Sequence, residues 1–152
     1  VTFYDQIITD YDRLQFGYET VRQIANLSNA IAAPELYQVL DDVLAALNNL
    51  SVDLRLVKTW FYLHLARLRG GELNLWTDSN GMKLVEGANY SYDTVEGVFV
   101  YVENGGKFTT EVIKLLRLLD ANPATLLARL NTINGEVICQ ALDLARIAAE
   151  SG

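Results

Sequence analysis

Apolar residues return at helical spacing in six stretches of this chain and gather as strand formers in two. From Tyr11 the positions Leu14, Tyr18, Val21 and Ala25 follow an i, i+3, i+7 rhythm, which predicts an amphipathic helix capped by Asp10 and running to about Ser28. After a connection over 29–33, Pro34 stands in a first turn, where a missing N–H costs nothing. Leu36, Leu40, Val43, Leu44 and Leu47 then carry a second helix to about Asn49. Ser51 is placed to cap a third helix, with Leu54, Val57, Phe61, Leu65 and Leu68 on one face and Leu56, Trp60 and Leu63 on the next. A helix so apolar around its circumference is expected at the centre.

Gly70-Gly71 ends that helix, and the pattern changes between Glu72 and Lys107. Asn80-Gly81 and Asn104-Gly105-Gly106 are turn signals, and GVFVYVE over 97–103 is rich in strand formers. Helical spacing resumes at Thr109 or Thr110, passes through VIKLLRLL and stops near Ala121. Asn122-Pro123 opens a short helix carrying Leu126, Leu127 and Leu130, and Asn134-Gly135 breaks it. The last helix, about Glu136 to Glu150, sets Val137, Ala141, Leu144, Ala145 and Ala148 on one face. The first eight residues, VTFYDQII, read as a short extended piece. The expected fold is mainly α: about six helices in a compact bundle with a small β-hairpin-like insertion at about 72–107. It forms one domain over 10–152, preceded by an extended stub over 1–9.

Composition narrows the class further. With 152 residues, 51% of them hydrophobic, the chain can bury a core without disulfide or metal staples. Its single cysteine, Cys139, excludes an intramolecular disulfide and a cysteine-rich zinc site, and fits a reducing compartment, the cytoplasm by default. Charged or amide residues interrupt every apolar stretch before the roughly 20 residues a membrane span needs, and no membrane partner or targeting segment is expected. A net charge of −7 argues against a protein that coats nucleic acid with its whole surface.

Candidate chemistry is sparse. His64, the one histidine, sits in the most apolar helix and reads as a structural residue, because a general base needs a positioned partner. Cys139, beside Ile138, reads as a small buried hydrophobe. The pairs Asp41–Asp42 and Asp10–Asp12 read as solvated or helix-start charges, though a hydrolase using paired acids is the alternative. The glycine steps lack the spacing that cradles phosphates. No catalytic residue, metal ligand or cofactor is therefore expected. Tyr11, Tyr18, Trp60, Phe61, Tyr62 and Trp76 fall at spacings that place most of them in the core. One charge asymmetry stands out: Arg55, Lys58, Arg67 and Arg69 occur between Leu54 and Gly71 with no acid among them. Arg55, Lys58 and Arg69, with Tyr62 between, share one helical stripe that can meet phosphate or an acidic peptide, or equally be a solvated face. Lys114 and Arg117 extend it if their helix packs alongside.

The order of features resembles a known family. The helix YDRL through VRQIANL, the helix ELYQVLDDVLAALNNL, the segment LVKTWFYLHLARLRGG, the insertion, and a helix TTEVIKLLRLL together resemble the C-terminal helical domain of the bacterial DNA repair and recombination protein RecO. The resemblance implies a non-enzymatic recombination mediator. Its partners would be single-stranded-DNA-binding protein, RecR and single- and double-stranded DNA, and its work would be RecA loading and strand annealing in the bacterial cytoplasm at the nucleoid. It also implies that VTFYDQII is the exit strand of an N-terminal oligonucleotide-binding barrel, which would carry most of the DNA affinity. Many family members hold zinc in the insertion through two cysteine pairs. Here Thr77 and Asn80 stand at the first pair and VFVYVEN covers the second, so the insertion takes the place of a zinc finger without its ligands. Arg55, Lys58, Arg67, Arg69, Lys114 and Arg117 are the candidate contacts to an acidic peptide or DNA backbone, chosen by charge placement. The competing reading is a helical protein-interaction scaffold with no nucleic-acid role.

Overall fold

A computed structural model describes residues 4–151. Its elements are α1 (Tyr11–Ser28), α2 (Glu35–Leu47), α3 (Leu54–Leu68), β1 (Asn89–Asp93), β2 (Val98–Val102), β3 (Phe108–Thr109), α4 (Thr110–Ala121) and α5 (Gly135–Ser151), with 3-10 segments at Ile7–Thr9 and Ala124–Arg129. Mainly helical architecture with a small antiparallel sheet is what the patterning predicts. No helix among the described residues is long and apolar enough to cross a membrane.

Local chemistry sets the helix ends. The Asp10 carboxylate accepts from the Arg13 amide at 3.1 Å and caps α1. Asp53, not Ser51, caps α3, accepting from the Arg55 amide at 2.9 Å, while the Ser51 hydroxyl turns back to Asn49 Oδ1 at 2.6 Å. Pro34 lies one residue before α2 and the short segment after Pro123 is a 3-10 helix. Asn134, expected to break a helix, also starts one: its Oδ1 accepts from the Glu136 amide at 2.8 Å.

α3 is the central helix. Leu56, Val57, Trp60, Phe61, Leu63 and Leu65 are buried on several sides of it at once. Full burial of one such side chain contributes roughly 1.5–3 kcal/mol. α5 runs parallel to α3, since Arg55, Tyr62 and Arg69 meet Cys139, Arg146 and Ala149 in the same order. α1 lies on the other flank with Phe16 edge-on to Phe61 at 5.7 Å.

Three expectations are corrected. The buried stripe of α1 is Arg13, Phe16, Gly17, Thr20 and Ile24, while Tyr18, Val21 and Ala25 face outward. Thr20 tolerates burial because its hydroxyl bonds the Phe16 carbonyl at 2.9 Å, and the Arg13 guanidinium bonds the carbonyls of Leu47 (3.0 Å), Asn49 (3.1 Å) and Val52. Cys139 is exposed, with only its neighbour Ile138 in the core. The expected extended stub falls partly on residues 1–3, outside the described residues; its described part is a turn and a 3-10 segment. There the amides of Gln6 and Ile7 both donate to Asn48 Oδ1, at 2.8 and 3.2 Å, which overrides the strand preference of the side chains.

The insertion contains a β1–β2 hairpin, Tyr90 opposite Tyr101 and Tyr92 opposite Phe99, with β3 added on the far side of β1 just beyond the expected boundary. Tyr90, Tyr92, Phe99, Tyr101 and Phe108 pack edge to face at centroid distances of 5.2–6.4 Å. At the positions where the resemblance implies a first pair of zinc ligands, the Asn74 side chain binds the Thr77 hydroxyl at 2.7 Å and the amides of Trp76 and Thr77. The Asp78 carboxylate holds the amides of Asn80 and Met82 at 2.8 and 3.0 Å. The Thr77 hydroxyl and the Asp78 carboxylate are engaged with their own turn, and neither they nor the Asn80 amide side chain is a thiolate or imidazole, so this turn does not fit a structural zinc ion.

Candidate anion-binding groove

The six basic residues singled out in the sequence do not form one continuous stripe. Arg55, Lys58 and Arg69 lie along the edge of α3 between α1 and α5. Arg67 points away from them, pairing with Asp120 at 2.6 Å and reaching Glu72 at 3.8 Å. Lys114 and Arg117 project from α4 onto the insertion. There Lys114 pairs with Glu86 and Arg117 bonds the Leu75 carbonyl at 2.9 Å. Lys114 also borders a hollow of about 500 Å³ floored by Leu115, Leu118, Ile133 and Val137, but Glu111 shares that rim.

Each cation on the α3 edge is held differently. Arg55 forks onto Asp53, with Nε and Nη2 at 3.1 and 2.7 Å from its two oxygens. That hydrogen bond holds the Asp53 carboxyl below the usual carboxylate range. The Nη1 of Arg55 lies 3.6 Å from the Cys139 sulfur. Arg69 spans the neighbouring helices, donating to the Ala149 carbonyl and to Gln23 Oε1, both at 2.8 Å. Lys58 Nζ lies 5.6 Å from the Phe16 ring centroid, and no carboxylate among the described residues is paired with it.

α5 supplies a fourth cation that sequence reasoning missed. Arg146 places its guanidinium 5.7 Å from the centroid of Tyr62 and has no carboxylate partner among the described residues. The signal was weak, because Arg146 joins Arg55, Lys58 and Arg69 only through the parallel packing of α5 on α3. The acids bonded into this edge are Asp53 and Glu19, the latter through Gln23 at 3.0 Å. Glu19 is itself paired with Arg22, and Asp143 and Glu150 stand three residues before and four after Arg146 on α5. What distinguishes this edge on a chain of net charge −7 is that Lys58 and Arg146 carry no bonded carboxylate among the described residues. Fourteen residues of α3 separate Arg55 from Arg69, a rise of about 21 Å, which matches about six residues of extended peptide.

His64, on the opposite side of α3, is packed and hydrogen-bonded. Its ring stacks on Trp60 at 3.9 Å, and its Nε2 lies 3.3 Å from the Leu119 carbonyl, which places the proton on that nitrogen. Burial, with Arg67 nearby, pushes its pKa below the ordinary imidazole value.

In comparison with known proteins, a family model described as "Recombination protein O C terminal" aligns with residues 16–145. No curated protein and no solved structure matches the chain. The aligned span runs from the first turns of α1 into α5 and takes in the insertion and all of α3, ending one residue before Arg146, and the chain therefore belongs to the recombination protein O C-terminal family, as a domain of the recombination and repair type.

Proposed function

We propose that this domain works as a recombination mediator, without chemistry of its own, by holding the acidic tail of a single-stranded-DNA-binding protein along the α3 edge. The observation that carries the assignment to this edge is the pair Lys58 and Arg146. Both are cations free of carboxylate partners among the described residues, set about the aromatic faces of Phe16 and Tyr62. An extended acidic segment gains charge-assisted contacts there and apolar contact with the half-buried Tyr62 ring, while Phe16 is buried beneath Lys58. Arg55 and Arg69 border the same track. RecR, RecA loading, strand annealing and contacts to DNA, with an oligonucleotide-binding barrel joined at the N-terminal side, complete the proposed role.

The edge suits this better than the hollow beside Lys114, where Glu86 and Glu111 offset the single lysine. Backbone amide shift mapping with a short acidic peptide ending in apolar residues tests the placement. The expected result at low salt is perturbation concentrated on residues 55–69 of α3 and 139–146 of α5. Perturbations centred on α4, or none at all, would contradict it.

A further inference from the structure

Trp76 does not occupy the core position its type suggests. It is 64% exposed, whereas the other tryptophan, Trp60, is 2% exposed and donates its indole N–H to the Asn122 carbonyl at 2.9 Å. Solvent exposure of an indole costs apolar burial. Yet the backbone beneath Trp76 is fixed from two sides: its amide donates to Asn74 Oδ1 at 3.0 Å and its carbonyl accepts from the Leu84 amide at 3.0 Å. The Thr77–Lys83 bridge and the Asp78 turn continue the same short ladder, and the Ser79 amide ties it to the Phe99 carbonyl of β2 at 2.8 Å.

One side of the indole is occupied. The Arg117 guanidinium carbon lies 4.2 Å from the ring centroid, and Nε is anchored at 2.9 Å to the carbonyl of Leu75. Its two terminal amino groups have no acceptor, and no carboxylate is paired with it, among the described residues. Arg117 is therefore oriented by a stack and one hydrogen bond while four N–H donors stay open. A guanidinium held in this way binds a phosphate at low entropic cost, and an exposed indole beside it accepts a flat heterocycle.

We infer that Trp76 and Arg117 form a nucleotide-binding element for single-stranded DNA, with an unpaired base stacked on the indole and its phosphate on the guanidinium. A duplex is disfavoured, because paired bases present no free face and the neighbouring cation Lys114 is already paired with Glu86. The site lies on the insertion and α4, separate from the α3 edge. It rests on the repair-family reading for its choice of DNA as ligand.

Titration of the full chain with an oligothymidylate at low salt tests it, followed by tryptophan fluorescence. Trp76 is the solvent-facing fluorophore and Trp60 is an internal reference that stacking cannot reach. Quenching of the exposed component is expected, with Trp76→Ala lowering affinity on the order of tenfold and Trp76→Phe retaining most of it. Arg117→Gln should weaken binding and reduce the salt slope by about one. Unquenched emission in the wild type, or unchanged affinity in Trp76→Ala, overturns the inference. If the oligonucleotide fails to bind while the acidic peptide still maps to α3, the Trp76–Arg117 site falls and the α3 groove stands. Oligonucleotide quenching without peptide binding leaves the Trp76–Arg117 site standing and removes the α3 groove.

Discussion

Arg13, Arg67, Arg69 and Arg117 each direct guanidinium donors at backbone carbonyls: those of Leu47, Asn49 and Val52, of Asp120, of Ala149 and of Leu75. Arginine here clamps helix ends and loops as much as it charges the surface, because its planar fork holds several donors in fixed directions. His64 performs a comparable task between α3 and α4 in its neutral form. Its folded pKa lies below the ordinary value of about 6.5, so between the two values the unfolded chain binds more protons than the folded one. Its contribution to stability is therefore complete above about 6.5 and is lost as pH falls from there through the folded value. Urea titrations from pH 7.5 to 5 should show the wild type losing stability over that window more steeply than His64→Gln. Parallel pH profiles for the two would refute the assignment.

At the scale of elements, the insertion holds together through aromatic packing and turn-locking side chains. Gly106 marks its tightest point. A Cβ there would lie 2.5 Å from Val102 Cγ2, 2.8 Å from the Tyr90 nitrogen and 2.9 Å from Asn89 Cβ, and two of those three neighbours belong to β1. Gly106→Ala should lower stability by about 1–3 kcal/mol through overpacking. The shift in urea midpoint measures this, and an unchanged midpoint would show that the hairpin can yield. The helices themselves were legible from periodicity, α1 to the residue at both ends, because apolar spacing and an Asp10 cap act locally. The buried face of α1 was not legible. Its stripe contains an arginine and a threonine whose polar groups are satisfied only by tertiary partners or the helix backbone, while Tyr18 and Val21 look apolar and face solvent. The cap of α3 was misjudged for a similar reason, since Asn49 claims the Ser51 hydroxyl and leaves Asp53 to the helix.

For the whole molecule, the order of helices and insertion was enough to suggest the recombination protein O family, and the family match covers the chain from 16 to 145. The candidate site was half legible. Arg55, Lys58 and Arg69 could be grouped because they share one helix, whereas Arg67, Lys114 and Arg117 are sent elsewhere by the way α4 packs. Arg146 and the exposed Trp76 depend on contacts distant in sequence: α5 on α3, and α4 on the insertion. Whether the α3 edge grips an acidic partner through Lys58 and Arg146 is decided by the affinity of a labelled acidic, apolar-ended tail peptide for the wild type and for the double variant Lys58→Glu/Arg146→Glu, at several salt concentrations. Neither side chain anchors a hydrogen bond to the fold among the described residues, so the melting temperature should stay close to that of the wild type. A grip by this edge predicts a loss of at least about tenfold in affinity at low salt and a flatter salt dependence in the variant. Equal affinities with equal salt slopes would contradict it.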